Sequence, residues 1–121
     1  MRPLQILIVD DSALARKFIK DALSSLDTVE VVGMVSNGRD VLLRAEVLKP
    51  DIVTLDIEMP GMSGIEALSL LQKSNFSGAV VMLSSLTEQG APLTIQALEL
   101  GAFDFILKPS FSEKISTHAF V

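Results

Sequence analysis

The sequence predicts an α/β fold: five parallel strands in one doubly wound sheet, with helices on both faces. Two observations carry that expectation. Short apolar runs alternate with amphipathic stretches of helical period along nearly the whole chain, the pattern of repeated βα units. The chain is also 49% apolar with a mean hydropathy of +0.47, high for a domain of this size, as strands buried on both faces would make it.

The first run, Leu4 to Val9, reads as a buried strand ended by Asp10 and Asp11. Ser12 to Leu26 carries apolar residues at Leu14, Phe18, Ala22 and Leu26, a helical period. Val29 to Val35 is a β-branched second strand. Asn37 then offers an N-cap for a helix whose apolar face is Val41, Leu42, Ala45 and Leu48, and Lys49-Pro50 stops it. Ile52 to Leu55 is a third strand, ended by Asp56. The loop Ile57 to Met62 holds the turn signal Pro60-Gly61. Ser63 and Glu66 have capping-box spacing, with Ile65, Leu68 and Leu71 behind them. Ala79 to Leu83 is a fourth strand, ending at Ser84-Ser85. Pro92 suits the first turn of a helix running to Leu100, with Gly101 as its C-cap. Phe103 to Leu107 is the fifth strand. Ser110 and Glu113 repeat the capping spacing ahead of a short or incomplete last helix over Phe111, Ile115 and Ala119. Residues 1–109 are therefore expected to form one domain, with 110–121 a short final helix or the start of a linker to a missing effector domain.

Five such units favour the flavodoxin-like strand order 2-1-3-4-5, in which a crevice opens at the carboxyl ends of strands 1 and 3. Asp10, Asp11 and Asp56 lie at those ends, and Ser84 and Lys108 end strands 4 and 5 on the same edge. Three carboxylates converging within about 5 Å repel by roughly 3 kcal/mol per pair at an effective dielectric near 20. Protonation or a bound cation must offset this. An open set of hard oxygen ligands suits Mg2+, which keeps several waters and accepts phosphate oxygens. Asp56 is then a candidate nucleophile for a phosphoryl group, with Lys108 pairing and Ser84 donating to its oxygens. Each residue alone has an ordinary reading: a helix cap, a loop carboxylate, a loop hydroxyl, a solvated lysine. Their joint order at four strand ends singles out the site. A cis Lys108-Pro109 bond would make a tight turn fixing the lysine, although few X-Pro bonds are cis.

Composition narrows the classes further. The chain has 121 residues, 10 basic and 15 acidic, and a net charge of −5. That balance argues against a nucleic-acid surface. Arg16-Lys17 is the only adjacent basic pair and reads as a solvated helix face. Without Cys there is neither a disulfide framework nor a thiolate metal site. The run Leu4 to Val9 is far too short to cross a membrane, and no signal peptide is visible, so a cytoplasmic location is expected.

The segments V-D-D-S at Val9 to Ser12, L-D-I-E-M-P-G-M-S-G at Leu55 to Gly64, M-L-S-S at Met82 to Ser85 and G-A-F-D-F-I-L-K-P-S at Gly101 to Ser110 resemble the receiver domain of two-component response regulators. The resemblance implies that Asp56 is phosphorylated by a histidine kinase. It implies that Asp10 and Asp11 form the metal pocket, and that Asp11, Asp56 and the backbone carbonyl of Glu58 ligate Mg2+ (or Mn2+). Ser84 would be the switch hydroxyl, Lys108 the phosphate partner, and Phe105 the aromatic switch, for which the ordinary alternative is a core phenylalanine. Phosphorylation would then alter the surface made by the helix Pro92 to Leu100, the strand Phe103 to Leu107 and the final helix.

The longer matches D-I-V-T-L-D-I-E-M-P, V-M-L-S-S-L-T and A-L-E-L-G-A-F-D-F-I are similar to the receiver of chemotaxis protein-glutamate methylesterases, which masks a serine hydrolase domain until phosphorylated. No such hydrolase is in this chain. Gly61-Met62-Ser63-Gly64-Ile65 fails the G-x-S-x-G elbow at its last position, and the one His, His118, lies near the end. The chain is thus expected not to be an esterase itself, but a regulatory domain of one or a stand-alone regulator. A shortened last helix would leave apolar surface for an effector, a partner or a second copy in a homodimer. Two rivals fit less well. An aspartate-nucleophile phosphohydrolase of the haloacid-dehalogenase type places D-x-D after its first strand and carries a cap for which there is no room. A flavin or nucleotide binder needs a phosphate loop where Asp10-Asp11 stands.

Overall fold

The structure, a computed structural model, describes residues 2–84 and 90–107, and of 90–94 the backbone only. Its elements run β1 (Leu4–Val9), α1 (Ala13–Ser24), β2 (Val29–Val35), α2 (Arg39–Leu48), β3 (Ile52–Asp56), α3 (Gly64–Lys73), β4 (Ala79–Ser84), α4 (Gly90–Glu99) and β5 (Asp104–Leu107). The strands form one sheet in the order β2-β1-β3-β4-β5, every pairing parallel. The expected doubly wound fold is the observed one. The expected last helix and Lys108-Pro109 lie outside the described residues.

Alternation along each strand divides the core in two. Leu7 and Val9 of β1, Val53 and Leu55 of β3, and Val80 and Met82 of β4 pack with Val41 and Ala45 of α2, Leu68 and Leu71 of α3, and Ala97 of α4. On the other face, Ile6, Ile8 and Leu83 meet Ile19 of α1. The central strands are buried on both sides, which accounts for part of the high hydropathy. The rest is on the surface: Leu14, Leu43, Val47, Ile95 and Phe103 are exposed, and all four residues of β5 are exposed.

Local chemistry explains the boundaries. Ser12 is the N-cap of α1, its hydroxyl accepting from the Ala15 N–H at 3.2 Å. At the other end Ser24 and Ser25 donate to the carbonyls of Asp21 and Ala22, and the helix stops two residues before the expected Leu26. The N-cap of α2 is Gly38, one residue after the expected Asn37; Asn37 still supports the first turn, its side-chain oxygen accepting from the Asp40 N–H at 3.0 Å. Lys49 ends α2 in the left-handed region at φ 48°, because the following Pro50 excludes further helix. Ser63 caps α3 through the Glu66 N–H at 3.3 Å. Pro92 falls in the first turn of α4, and Gly101 leaves that helix at φ 104°. β5 begins at Asp104, one residue later than expected.

Candidate functional site

Asp10 follows the last residue of β1 and Asp56 is the last residue of β3. β1 and β3 are neighbours, with Val9 beside Leu55. This register brings the two carboxylates to the same rim. Asp10 is fully buried and Asp56 is 2% exposed, while Asp11 beside them is open to solvent. One carboxylate oxygen from each of the three lies within 4.8 Å of the others. Two Mg–O bonds of about 2.1 Å placed end to end span about 4.2 Å, so donor atoms up to 4.8 Å apart need to draw in by about 0.6 Å at most to share one such cation. The exposed Asp11 leaves one side open, as a site that admits a phosphate oxygen and water requires.

The surrounding backbone is held at several points. The Asp10 N–H donates to the Val35 carbonyl at 3.0 Å. Asp10 Oδ1 accepts from the Ser12 N–H at 3.0 Å, so Asp10 orders the loop ahead of the helix and Ser12, not an Asp, is the cap. Asp56 Oδ1 accepts from the Glu58 N–H at 3.2 Å. The loop after Asp56 begins with the Ile57 N–H donating to the Leu83 carbonyl at 2.9 Å and closes where the Gly64 N–H donates to the Ile57 carbonyl at 2.9 Å. Pro60-Gly61 makes its turn with Gly61 at φ 76°, a conformation that favours glycine. The loop leaves Glu58 at the surface with its carbonyl next to this cluster in the chain.

Ser84 ends β4 and is 1% exposed. Its predecessor Leu83 pairs with Asp56, which puts the hydroxyl-bearing residue one step beyond the carboxylate on the neighbouring strand. Phe105 pairs with Met82 on β5 and is 37% exposed. Lys108 and Pro109, and with them the proposed cis bond, lie outside the described residues. Among the described residues no helix is long and apolar enough to cross a membrane.

Sequence reasoning missed two contributors. Arg16 is not on the solvated face assigned to it: its Nη1 donates to the Asp10 carbonyl at 2.8 Å. Lys17 does occupy that face and pairs with Asp21 at 2.7 Å. The signal separating the two was the position of Arg16 four residues after the N-cap, from which a long side chain reaches back over its own helix start. Gly64 is the second. A β-carbon there would collide with the Asp56 carbonyl, a tertiary contact with no local signature.

A family model of the response regulator receiver domain matches residues 6–120. The chain belongs to that family. The receiver is 50% identical over 109 residues to a protein-glutamate methylesterase/protein-glutamine glutaminase of Desulfotalea psychrophila, covering 90% of this chain and 30% of that protein. It is 48% identical over 109 residues to the Bacillus subtilis protein of the same description, again covering 90% and 30%. The crystal structure of the response regulator domain of Thermotoga maritima CheB superposes with a TM-score of 0.84 at 46% identity, covering 97% of this chain and 87% of that one. The receiver is thus of the CheB type, and it spans less than a third of the length of those two curated relatives.

Proposed function

We propose that this receiver takes a phosphoryl group onto Asp56 from a phosphohistidine of a chemotaxis-type histidine kinase, and that the modified domain releases or engages a methylesterase/deamidase effector. The observation that carries the reading is the burial of Asp10 and Asp56 beside Asp11, with donor oxygens within 4.8 Å of one another. Charges so placed are costly unless a cation or a proton compensates them. Asp10, Asp11 and Asp56, with the Glu58 backbone carbonyl, would hold Mg2+ or Mn2+. When bound, that ion neutralises charge on the transferring phosphoryl oxygens.

The protein's own groups do the rest. An Asp56 carboxylate oxygen forms the new P–O bond as the P–N bond of the phosphohistidine breaks, and the leaving imidazole takes a proton. The Glu58 N–H, bonded to Asp56 Oδ1, holds the carboxylate so that one oxygen is aimed. Ser84 donates to a phosphoryl oxygen and Lys108 pairs with another. The movement of Ser84 opens space for Phe105, and the surface of α4, β5 and the following segment changes. Reversing a 1:99 preference between two such states takes about 5.5 kcal/mol of differential interaction, which only a new multivalent charge at the rim is placed to supply.

Relatives support this choice of partners. A solved complex joins the P1 domain of CheA3 to CheY6 from R. sphaeroides, and a chain in it is 35% identical to this one with a TM-score of 0.76, covering 93% of this chain and 87% of that one. The curated relatives are methylesterase/glutaminases. This chain would contribute regulation, its own phosphoryl uptake and its own dephosphorylation, and no ester hydrolysis. The deciding experiment is incubation with acetyl phosphate and Mg2+ followed by intact-mass analysis. One phosphoryl group is expected on the wild type and none on Asp56→Asn; a gain that survives the substitution overturns the assignment.

A further inference from the structure

We infer that Arg16 is a positioning residue of this pocket: by holding the Asp10 carbonyl it fixes the peptide from which Asp11 presents its carboxylate. The inference rests on the reading of Asp10, Asp11 and Asp56 as cation ligands.

Asp11 is the weak point of the pocket. Its side chain is exposed, so packing does not set its direction. What sets it is the peptide joining Asp10 to Asp11, which is planar and turns as a unit. Asp10 is anchored through its N–H to Val35 at 3.0 Å and through Oδ1 to the Ser12 N–H at 3.0 Å. The Ser12 bond spans the Asp10–Asp11 peptide and limits its rotation from one side, without touching the carbonyl oxygen. The Arg16 guanidinium holds that oxygen from the other, donating to it at 2.8 Å. Arg16 is itself placed by the Arg16 N–H bond to the Ser12 carbonyl at 3.0 Å. Residue 16 thus closes on the loop twice, once through backbone and once through side chain. A hydrogen bond from a charged donor is about twice as strong as a neutral one, which suits it to holding a peptide beside a solvent-open carboxylate.

Charge and anchoring act in opposite directions. A guanidinium near the pocket repels an incoming divalent cation, so a neutral residue at position 16 would tighten binding if charge were the whole effect. If Arg16 positions Asp11, the same replacement weakens binding. Outer groups that orient metal ligands commonly account for tenfold or more in affinity, so anchoring is expected to win.

The test is a Mn2+ titration, read from the electron paramagnetic resonance signal of the free aqueous ion, on the wild type, Arg16→Met and Arg16→Lys. Amide hydrogen exchange of the metal-free proteins accompanies it. Arg16→Met, which keeps an unbranched apolar side chain, is expected to weaken Mn2+ binding about tenfold. It should also speed exchange at Asp11 and Ser12 without changing β3. Arg16→Lys, whose ammonium can donate one bond to the same carbonyl, recovers most of both losses. Equal or tighter binding by a folded Arg16→Met overturns the inference. So does an Arg16→Lys protein that loses as much as Arg16→Met, or exchange that quickens throughout β3. A wild-type chain that binds no Mn2+ removes the cation reading itself, a different failure from a wild type that binds and an Arg16→Met that binds equally well.

Discussion

Gly64 stands against the backbone carbonyl of Asp56 so closely that a β-carbon at residue 64 would collide with it. The first residue of α3 and the last residue of β3 are in contact across the loop that separates them, and the Gly64 N–H bond to the Ile57 carbonyl at 2.9 Å closes that loop. Because the neighbour is backbone, it has no rotamer through which to give way. Gly64→Ala is therefore expected to push the Asp56 segment off its register with β4 and to destabilise the fold by about 1–3 kcal/mol, the usual range for overpacking. Urea unfolding monitored by circular dichroism gives the stability, and phosphoryl uptake from acetyl phosphate should fall further than stability alone explains. An unchanged midpoint would show that the loop relaxes freely.

Two residues before Asp56, the Thr54 hydroxyl is buried and has no hydrogen-bond partner among the described residues. Thr54 lies between Ile8 on β1 and Val81 on β4. A buried hydroxyl in that state keeps its desolvation penalty without compensation. Valine has nearly the same shape and no polar atom, so Thr54→Val is expected to stabilise the domain by about 1 kcal/mol. A raised urea midpoint at unchanged slope is the signature; a lowered one would mean that the hydroxyl has a function in the folded state.

These two residues mark where sequence reasoning stops. The alternation of apolar runs with helical stripes was legible because parallel strands buried on both faces leave a period that survives in one dimension. Asp10, Asp11 and Asp56 followed once the strand order did, since the order alone decides which strand ends share a rim. Arg16 and Lys17 carry the same charge at adjacent positions, and only the turn of α1 sends one back over Asp10 and the other out to Asp21. Gly64 looked like part of a capping box and Thr54 like any strand residue. Their significance lies in what the third dimension places against them. The register shift between Ile6 and Leu7 in the pairing of β1 with β2 likewise depends on the partner strand.

At the opposite end of the sheet, Asp51 gathers the chain's beginning. Its carboxylate accepts from the Gln5 N–H at 2.7 Å and from both terminal nitrogens of Arg2 at 3.1 and 3.0 Å. The Gln5 bond first, then Arg2, holds its pKa below the ordinary carboxylate value. A depressed folded-state pKa means that the unfolded chain binds the proton more readily. This contribution to stability is therefore fully present above the unfolded pKa, about 4, and is lost as pH falls through the lower folded value. Asp51→Asn is expected to flatten the acid side of the stability–pH curve below about pH 5 while leaving the neutral side nearly parallel to wild type. Midpoints measured from pH 7 down to pH 3 test it, and an identical acid slope in both proteins would refute it.

The clustered carboxylates make a prediction of opposite sign in the presence and absence of metal. Without a cation, the three Asp side chains at the rim repel, by roughly 3 kcal/mol per pair at 5 Å before solvent screening. Neutralising the exposed member relieves part of that, so metal-free Asp11→Asn is expected to melt above the metal-free wild type. Adding Mg2+ reverses the order. An ion that binds only the folded state stabilises it by mass action, about 2.7 kcal/mol at a hundredfold excess over its dissociation constant, and Asp11→Asn has lost a ligand and should gain little. Thermal melts with EDTA and with saturating Mg2+ give four numbers for one substitution, and the crossing of the two pairs is the decisive result. A variant that melts lower in both conditions would mean that Asp11 stabilises the fold through its own contacts and that the three carboxylates do not compete for charge.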